Sequence, residues 1–251
     1  MPYQVAHWQH FTHSLRTLSA FSLHPLCMTH AGRTVEYMLA GCQTANPRHR
    51  VVITCRHHCC EMMASYAVEG ILAWLVDSDD AAARWLRDHV QLFVVPFVDV
   101  DGVEAGDQGK NRHPRDHNRD YEGESVHSTP AALRALLPRW SAGCSCVALD
   151  LHCPHIAGPH NEVIYLVGSR DPRNAAEQGV FSTLLESVAR GPLPFHAADY
   201  LPFGQAWNTG GNFAGGRSFS AWAATLPGVQ LATSIELPYA NARGVEVNQD
   251  S

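Results

Sequence analysis

His58 and Glu61 lie three residues apart in the run Arg56-His57-His58-Cys59-Cys60-Glu61, where apolar residues 51–55 give way to a helix-like run over 62–76. On a helix, residues i and i+3 share a face, so an imidazole nitrogen and a carboxylate oxygen come within reach of one zinc ion. The spacing is weak by itself: with 16 histidines in the chain, on the order of one such pair arises by chance. Its weight comes from two later residues. His152 ends the apolar run Cys146-Val147-Ala148-Leu149-Asp150-Leu151, and Glu236 ends Leu231-Ala232-Thr233-Ser234-Ile235. Two His and one Glu around zinc leave a coordination position open to water, the catalytic rather than the closed structural arrangement. A carboxylate that is not a ligand then serves as the base toward that water. Cys59, Cys60 and Cys153 border this set and read as packing thiols, because the His/Glu set already suffices.

The elements that must position these groups alternate in type. Residues 51–55, 91–97, 146–151, 162–167 and 229–237 read as strands, rich in β-branched and apolar residues. Residues 61–75, 79–89, 130–139, 178–190 and 220–225 read as helices. Residues 1–48 show little pattern beyond a possible strand at 34–39, and residues 99–121 read as a polar loop. This alternation predicts a single α/β domain built on a mostly parallel mixed sheet with helices on both faces. In such open sheets, ligands sit outside the carboxyl ends of the strands, where His58, Glu61, His152 and Glu236 all fall.

Composition narrows the function classes. The chain has 251 residues, 45% of them hydrophobic, and a net charge of -6, so it can bury one sizeable core and lacks the basic surplus of a nucleic-acid binder. No apolar run approaches the ~18 residues of a spanning helix. The first residues lack the basic-then-apolar layout of a secretory signal. The eight cysteines therefore read as reduced, mostly buried thiols of a cytoplasmic protein.

Taken in order, these motifs resemble those of the zinc carboxypeptidase family, particularly its bacterial cytosolic-carboxypeptidase-like branch, over residues 32–247. The resemblance implies one zinc ion held by His58, Glu61 and His152, with Glu236 as general base and then proton donor. It implies that Asn118 and Arg119 grip the free carboxylate of a peptide or protein C-terminus, and that Asp116 orients His58. The family also places a carbonyl-polarising arginine upstream of the Asn-Arg pair. Arg112 is favoured for that role, with Arg115 and Lys110 as rivals. The implied activity is zinc-dependent hydrolysis of C-terminal peptide bonds. Two alternatives stand beside it: a deacylase of the aminoacylase or desuccinylase type, and a non-catalytic zinc-binding remnant. Three features depart from the family pattern. Phe213 stands where a mobile Tyr is usual, the segment before His58 is short for the β-rich domain of cytosolic-type relatives, and the sequence ends 15 residues after Glu236. The last feature predicts that a C-terminal helix is missing and that an apolar patch is exposed.

Overall fold

The computed structural model describes residues 2–15, 18–110 and 112–247. Seven strands form one sheet: β1 (Phe21–Met28), β2 (Thr34–Gly41), β3 (His49–Cys55), β4 (Val90–Val95), β5 (Ser145–His152), β6 (Tyr165–Val167) and β7 (Val229–Glu236), in the order β1-β2-β4-β3-β5-β7-β6. The four central strands β4, β3, β5 and β7 are parallel, and antiparallel strands flank them, β2 and then β1 on one side and β6 on the other. Every residue of β4 is buried, as is all of β7 except Gln230. A central strand dry on both sides must be covered on both faces. Its cover is helical: α2 (Met63–Asp77), α3 (Ala81–His89), α5 (Ser128–Trp140), α6 (Pro172–Val188) and α7 (Phe219–Ala223). This is the α/β architecture expected from the sequence.

The departures are local and have physical causes. Helix α1 (Val5–Leu15) was hidden because it buries only Trp8, Thr12 and Leu15, a helical spacing with too few apolar residues to stand out. Strand β1 was missed because Pro25 and a register shift between Pro25 and Cys27 break its alternation. Within the polar segment after β4 lies a six-residue helix, α4 (Val100–Ala105), whose start is capped by Asp99 Oδ1 accepting from Gly102 N at 2.9 Å. The strand read at 162–167 is shorter, Tyr165–Val167, and runs antiparallel to β7. Helix α2 begins at Met63, two residues later than read, so His58 and Glu61 lie in the turn before the helix rather than on it. Helix α6 exposes Val180, Leu184 and Val188 along one side.

The sheet sets the site by register. β5 and β7 pair His152 with Glu236 at their carboxyl ends, while Cys55, the last residue of β3, pairs with Leu151. His152, Glu236 and the turn that follows β3 therefore emerge side by side at the carboxyl ends of adjacent parallel strands.

Candidate active site

The turn carrying His58 and Glu61 is held by the residue before it. Arg56 has φ of 61°, a conformation unusual for a side chain larger than Gly. Its buried guanidinium donates from Nε to Cys59 O at 2.9 Å and from Nη1 to Ser65 Oγ at 2.9 Å and Tyr3 O at 3.1 Å. The turn is thereby tied to α2 and to the N-terminal segment. Within it, His58 Nδ1 lies 2.9 Å from Glu61 Oε1, and His152 Nδ1 from β5 lies 2.7 Å from Glu61 Oε2. Donor atoms of all three buried residues fall within 4.8 Å of one another. Two imidazole nitrogens converging on the two oxygens of one carboxylate fit a zinc ion in donor type and number. Burial opposes ionisation of Glu61, but the imidazoles of His58 and His152 outweigh it and hold the carboxyl well below its usual range.

Each histidine is backed by a carboxylate. His152 Nε2 lies 2.7 Å from Asp150 Oδ2, while Asp150 Oδ1 accepts from Thr54 Oγ1 at 2.8 Å and lies 2.8 Å from His57 Nδ1. Tyr121 OH meets His57 Nε2 at 2.8 Å, which completes a buried array of Tyr121, His57, Asp150 and His152. The nearer, charged Asp150 takes the Nε2 hydrogen, which leaves Nδ1 of His152 to face Glu61; Asn118 Nδ2 lies 3.0 Å from the same Nε2. Asp116 stands behind His58 at 3.7 Å from Nε2, a charge contact too long for a hydrogen bond. Burial raises the Asp116 carboxyl, but His58 and Arg119 override it and bring it down to about 2.

Glu236 differs from the other carboxylates. It is buried beside His152, and its Oε2 has no hydrogen-bond partner among the described residues. Burial, with the charge of Glu61, pushes its carboxyl up to about 7 against the opposing pull of His152 and Lys110. Lys110 Nζ lies 3.2 Å from Glu61 Oε1. His58, Asp116, Asn118, Lys110, His152 and Glu236 open onto a cleft of about 960 Å³. Arg119 lies on its wall, its guanidinium 4.8 Å above the ring of Phe213, with Nε and Nη2 donating to Asn212 O at 3.1 and 3.0 Å. Asn118 also lines the cleft, and its Oδ1 accepts from Phe219 N at 2.8 Å.

The structure thus brings together His58, Glu61, His152, Glu236, Asp116, Asn118 and Arg119. It does not bring Arg112 to them. Two carboxylates hold Arg112 elsewhere: Nη2 pairs with Asp99 Oδ2 at 2.7 Å and Asp107 Oδ2 at 3.1 Å, beside a separate cavity of about 130 Å³. Arg115 is held as well, its Nε 2.7 Å from Asp120 Oδ1. Sequence reasoning passed over Asp150, His57, Tyr121 and Arg56. The signal for Asp150 was present, because residues two apart on a strand share a face and Asp150 precedes His152 by two.

A model of the family described as zinc carboxypeptidase matches residues 13–152, a stretch that contains His58, Glu61, Asn118, Arg119 and His152 and ends before Glu236. Cytosolic carboxypeptidase 2 of Danio rerio is 24% identical over 213 residues, which is 79% of this chain and 29% of that protein. Cytosolic carboxypeptidase 4 of Homo sapiens is 37% identical over 90 residues, 35% of this chain and 8% of that protein. Among solved structures, the metallo-carboxypeptidase from Burkholderia cenocepacia superposes with a TM-score of 0.75 at 22% identity, covering 99% of this chain and 65% of that one. The chain therefore spans less than a third of these two curated relatives and just under two thirds of the solved one.

Proposed function

The chain belongs to the zinc carboxypeptidase family, and from that membership and its cleft we propose that it removes the C-terminal residue of a peptide or protein substrate. The observation that carries this reading is Glu236: buried, without a partner for Oε2 among the described residues, and paired in register with His152. A structural metal site has no use for such a carboxylate. His58, Glu61 and His152 would hold the ion, and zinc there would supply Lewis-acid activation of water and of the scissile carbonyl. Glu236 takes the proton from the attacking water and returns it to the leaving nitrogen, a role suited to a carboxyl held near neutral. Asn118 and Arg119 hold the substrate's terminal carboxylate. The guanidinium of Arg119 exchanges its two bonds to Asn212 O for a forked contact that Lys could not copy. That contact confines cleavage to free C-termini. Asp150 and Asp116 orient the two histidines.

The eight cysteines are all free thiols, which supports a reducing, cytoplasmic setting. Among the described residues, no helix is long and apolar enough to cross a membrane. The test is turnover by zinc-loaded protein on paired N-acyl dipeptides and N-acyl amino acids. Release of the C-terminal amino acid from the dipeptides supports the carboxypeptidase. Hydrolysis of the N-acyl amino acids alone would transfer the site to a deacylase.

A further inference from the structure

The sequence holds one lysine, Lys110; the other 17 of its 18 basic residues are arginine. That lysine lies in the candidate active site. Its side chain, about one-third exposed, places Nζ 3.2 Å from Glu61 Oε1 and lines the cleft together with His58, His152 and Glu236. The backbone is built to bring it there. Gly109, at φ of 92°, packs so closely on the metal-site turn that a Cβ would stand 2.5 Å from Cys59 N and 3.0 Å from His58 Cα. Only glycine allows this approach, and Lys110 follows directly.

We propose that Lys110 is a catalytic residue whose ammonium stabilises the negative charge that develops on the scissile carbonyl oxygen. The assignment rests on the carboxypeptidase reading above. The other two cations of the 110–115 loop are committed elsewhere, Arg112 to Asp99 and Asp107 and Arg115 to Asp120. Side-chain chemistry also favours lysine at this point. A guanidinium beside Glu61 would pair with its carboxylate as a planar fork and compete for both oxygens. An ammonium is a compact charge with three rotatable donors, so it can touch Glu61 with one and present another to the substrate. A donor fixed where charge develops in the transition state contributes roughly 10²–10³ in kcat.

The test compares wild type with Lys110→Met and Lys110→Arg in three measurements: steady-state kinetics on an N-acyl dipeptide, zinc affinity by chelator competition, and calorimetric binding of a dipeptide phosphonate, a tetrahedral anion. Lys110→Met should lower kcat about 100-fold or more with KM within about threefold. Zinc affinity should change little, phosphonate affinity should fall at least tenfold, and Lys110→Arg should recover part of the kcat loss. A Lys110→Met variant that keeps its kcat, or that regains full activity in excess zinc, overturns the assignment. So does equal phosphonate binding by both proteins, a result that can be read even without turnover. A zinc-bearing wild type that cleaves no dipeptide but loses phosphonate affinity on Lys110→Met would fault the peptidase reading and leave the anion-binding role of Lys110 standing. Because there is one lysine, acetylation with acetic anhydride offers an independent check: activity should fall in step with Lys110 modification mapped by mass spectrometry, and bound phosphonate should slow both.

Discussion

Glu236 shows how one environment sets one residue's chemistry. Four carboxylates lie around the two histidines, and Glu61, Asp116 and Asp150 are all held ionised by imidazoles or arginine. Glu236 is driven the other way by burial, up to about 7. Replacing it with Gln should remove about 10³ in kcat while zinc affinity is retained, since its proposed role is that of a general base, which contributes on the order of 10²–10⁴, and not of a ligand. Retained activity would exclude it as the base. A base works deprotonated, so in the proposed role of Glu236 kcat/KM should rise with pH along an acid limb, and the charge of a zinc ion bound at His58, Glu61 and His152 would draw that limb below about 7. The same shift affects stability with the opposite sign. Between its ordinary 4.5 and about 7, folded metal-free protein keeps a proton on Glu236 that the unfolded chain has lost, so stability falls as pH rises through that window. In chelator at pH 8, Glu236→Gln should be more stable than wild type by about 1–3 kcal/mol, a gap that closes toward pH 4. Urea titrations at the two pH values check this, and an equal gap at both would contradict it.

At the scale of elements, the site depends on β3, β5 and β7 ending together and on loops that pack closely against those ends. Asp150→Asn leaves β5 in place but removes the charged acceptor of His152 Nε2. Zinc affinity should fall about 10–100-fold by chelator competition, and an unchanged affinity would show that Asp150 is only packing. Gly216, at φ of 136°, lies against the backbone carbonyl of Arg119, where a Cβ has no room. Gly216→Ala should therefore displace Arg119 and raise KM for free C-termini more than it lowers kcat. These elements were legible in the sequence to different degrees. The strands 51–55, 146–151 and 229–237 stood out because burial on both faces makes a continuous apolar run, and the motif residues follow from those strand ends. Arg112 was misplaced because a loop without periodicity gives no direction to its side chains. Its partners, Asp99 and Asp107, become neighbours only through α4, a helix too short to show a period. Arg56 and His57 were invisible for a related reason: their roles depend on contacts with Tyr3, Ser65 and Tyr121, which lie far off in sequence.

For the molecule as a whole, a metal that binds the folded chain and not the unfolded one links cofactor to stability. Zinc at a hundredfold excess over its dissociation constant should add about 2.7 kcal/mol, or roughly 5–10 °C in Tm for a chain of this size. Scanning calorimetry with and without chelator measures it, and coincident transitions would argue against a preformed site. The cleft of about 960 Å³ has room for the peptide substrate proposed above. The central claim, that a metal and Glu236 together cut a peptide bond at a free C-terminus, is tested most directly by mass spectrometry of one peptide in two forms. Zinc-loaded protein is incubated with the peptide bearing a free C-terminal carboxylate and with its C-terminal amide. The account predicts stepwise loss of single residues from the free form only, abolished by chelator and by Glu236→Gln. Equal trimming of the amide, internal cleavage, or activity that survives Glu236→Gln would contradict it.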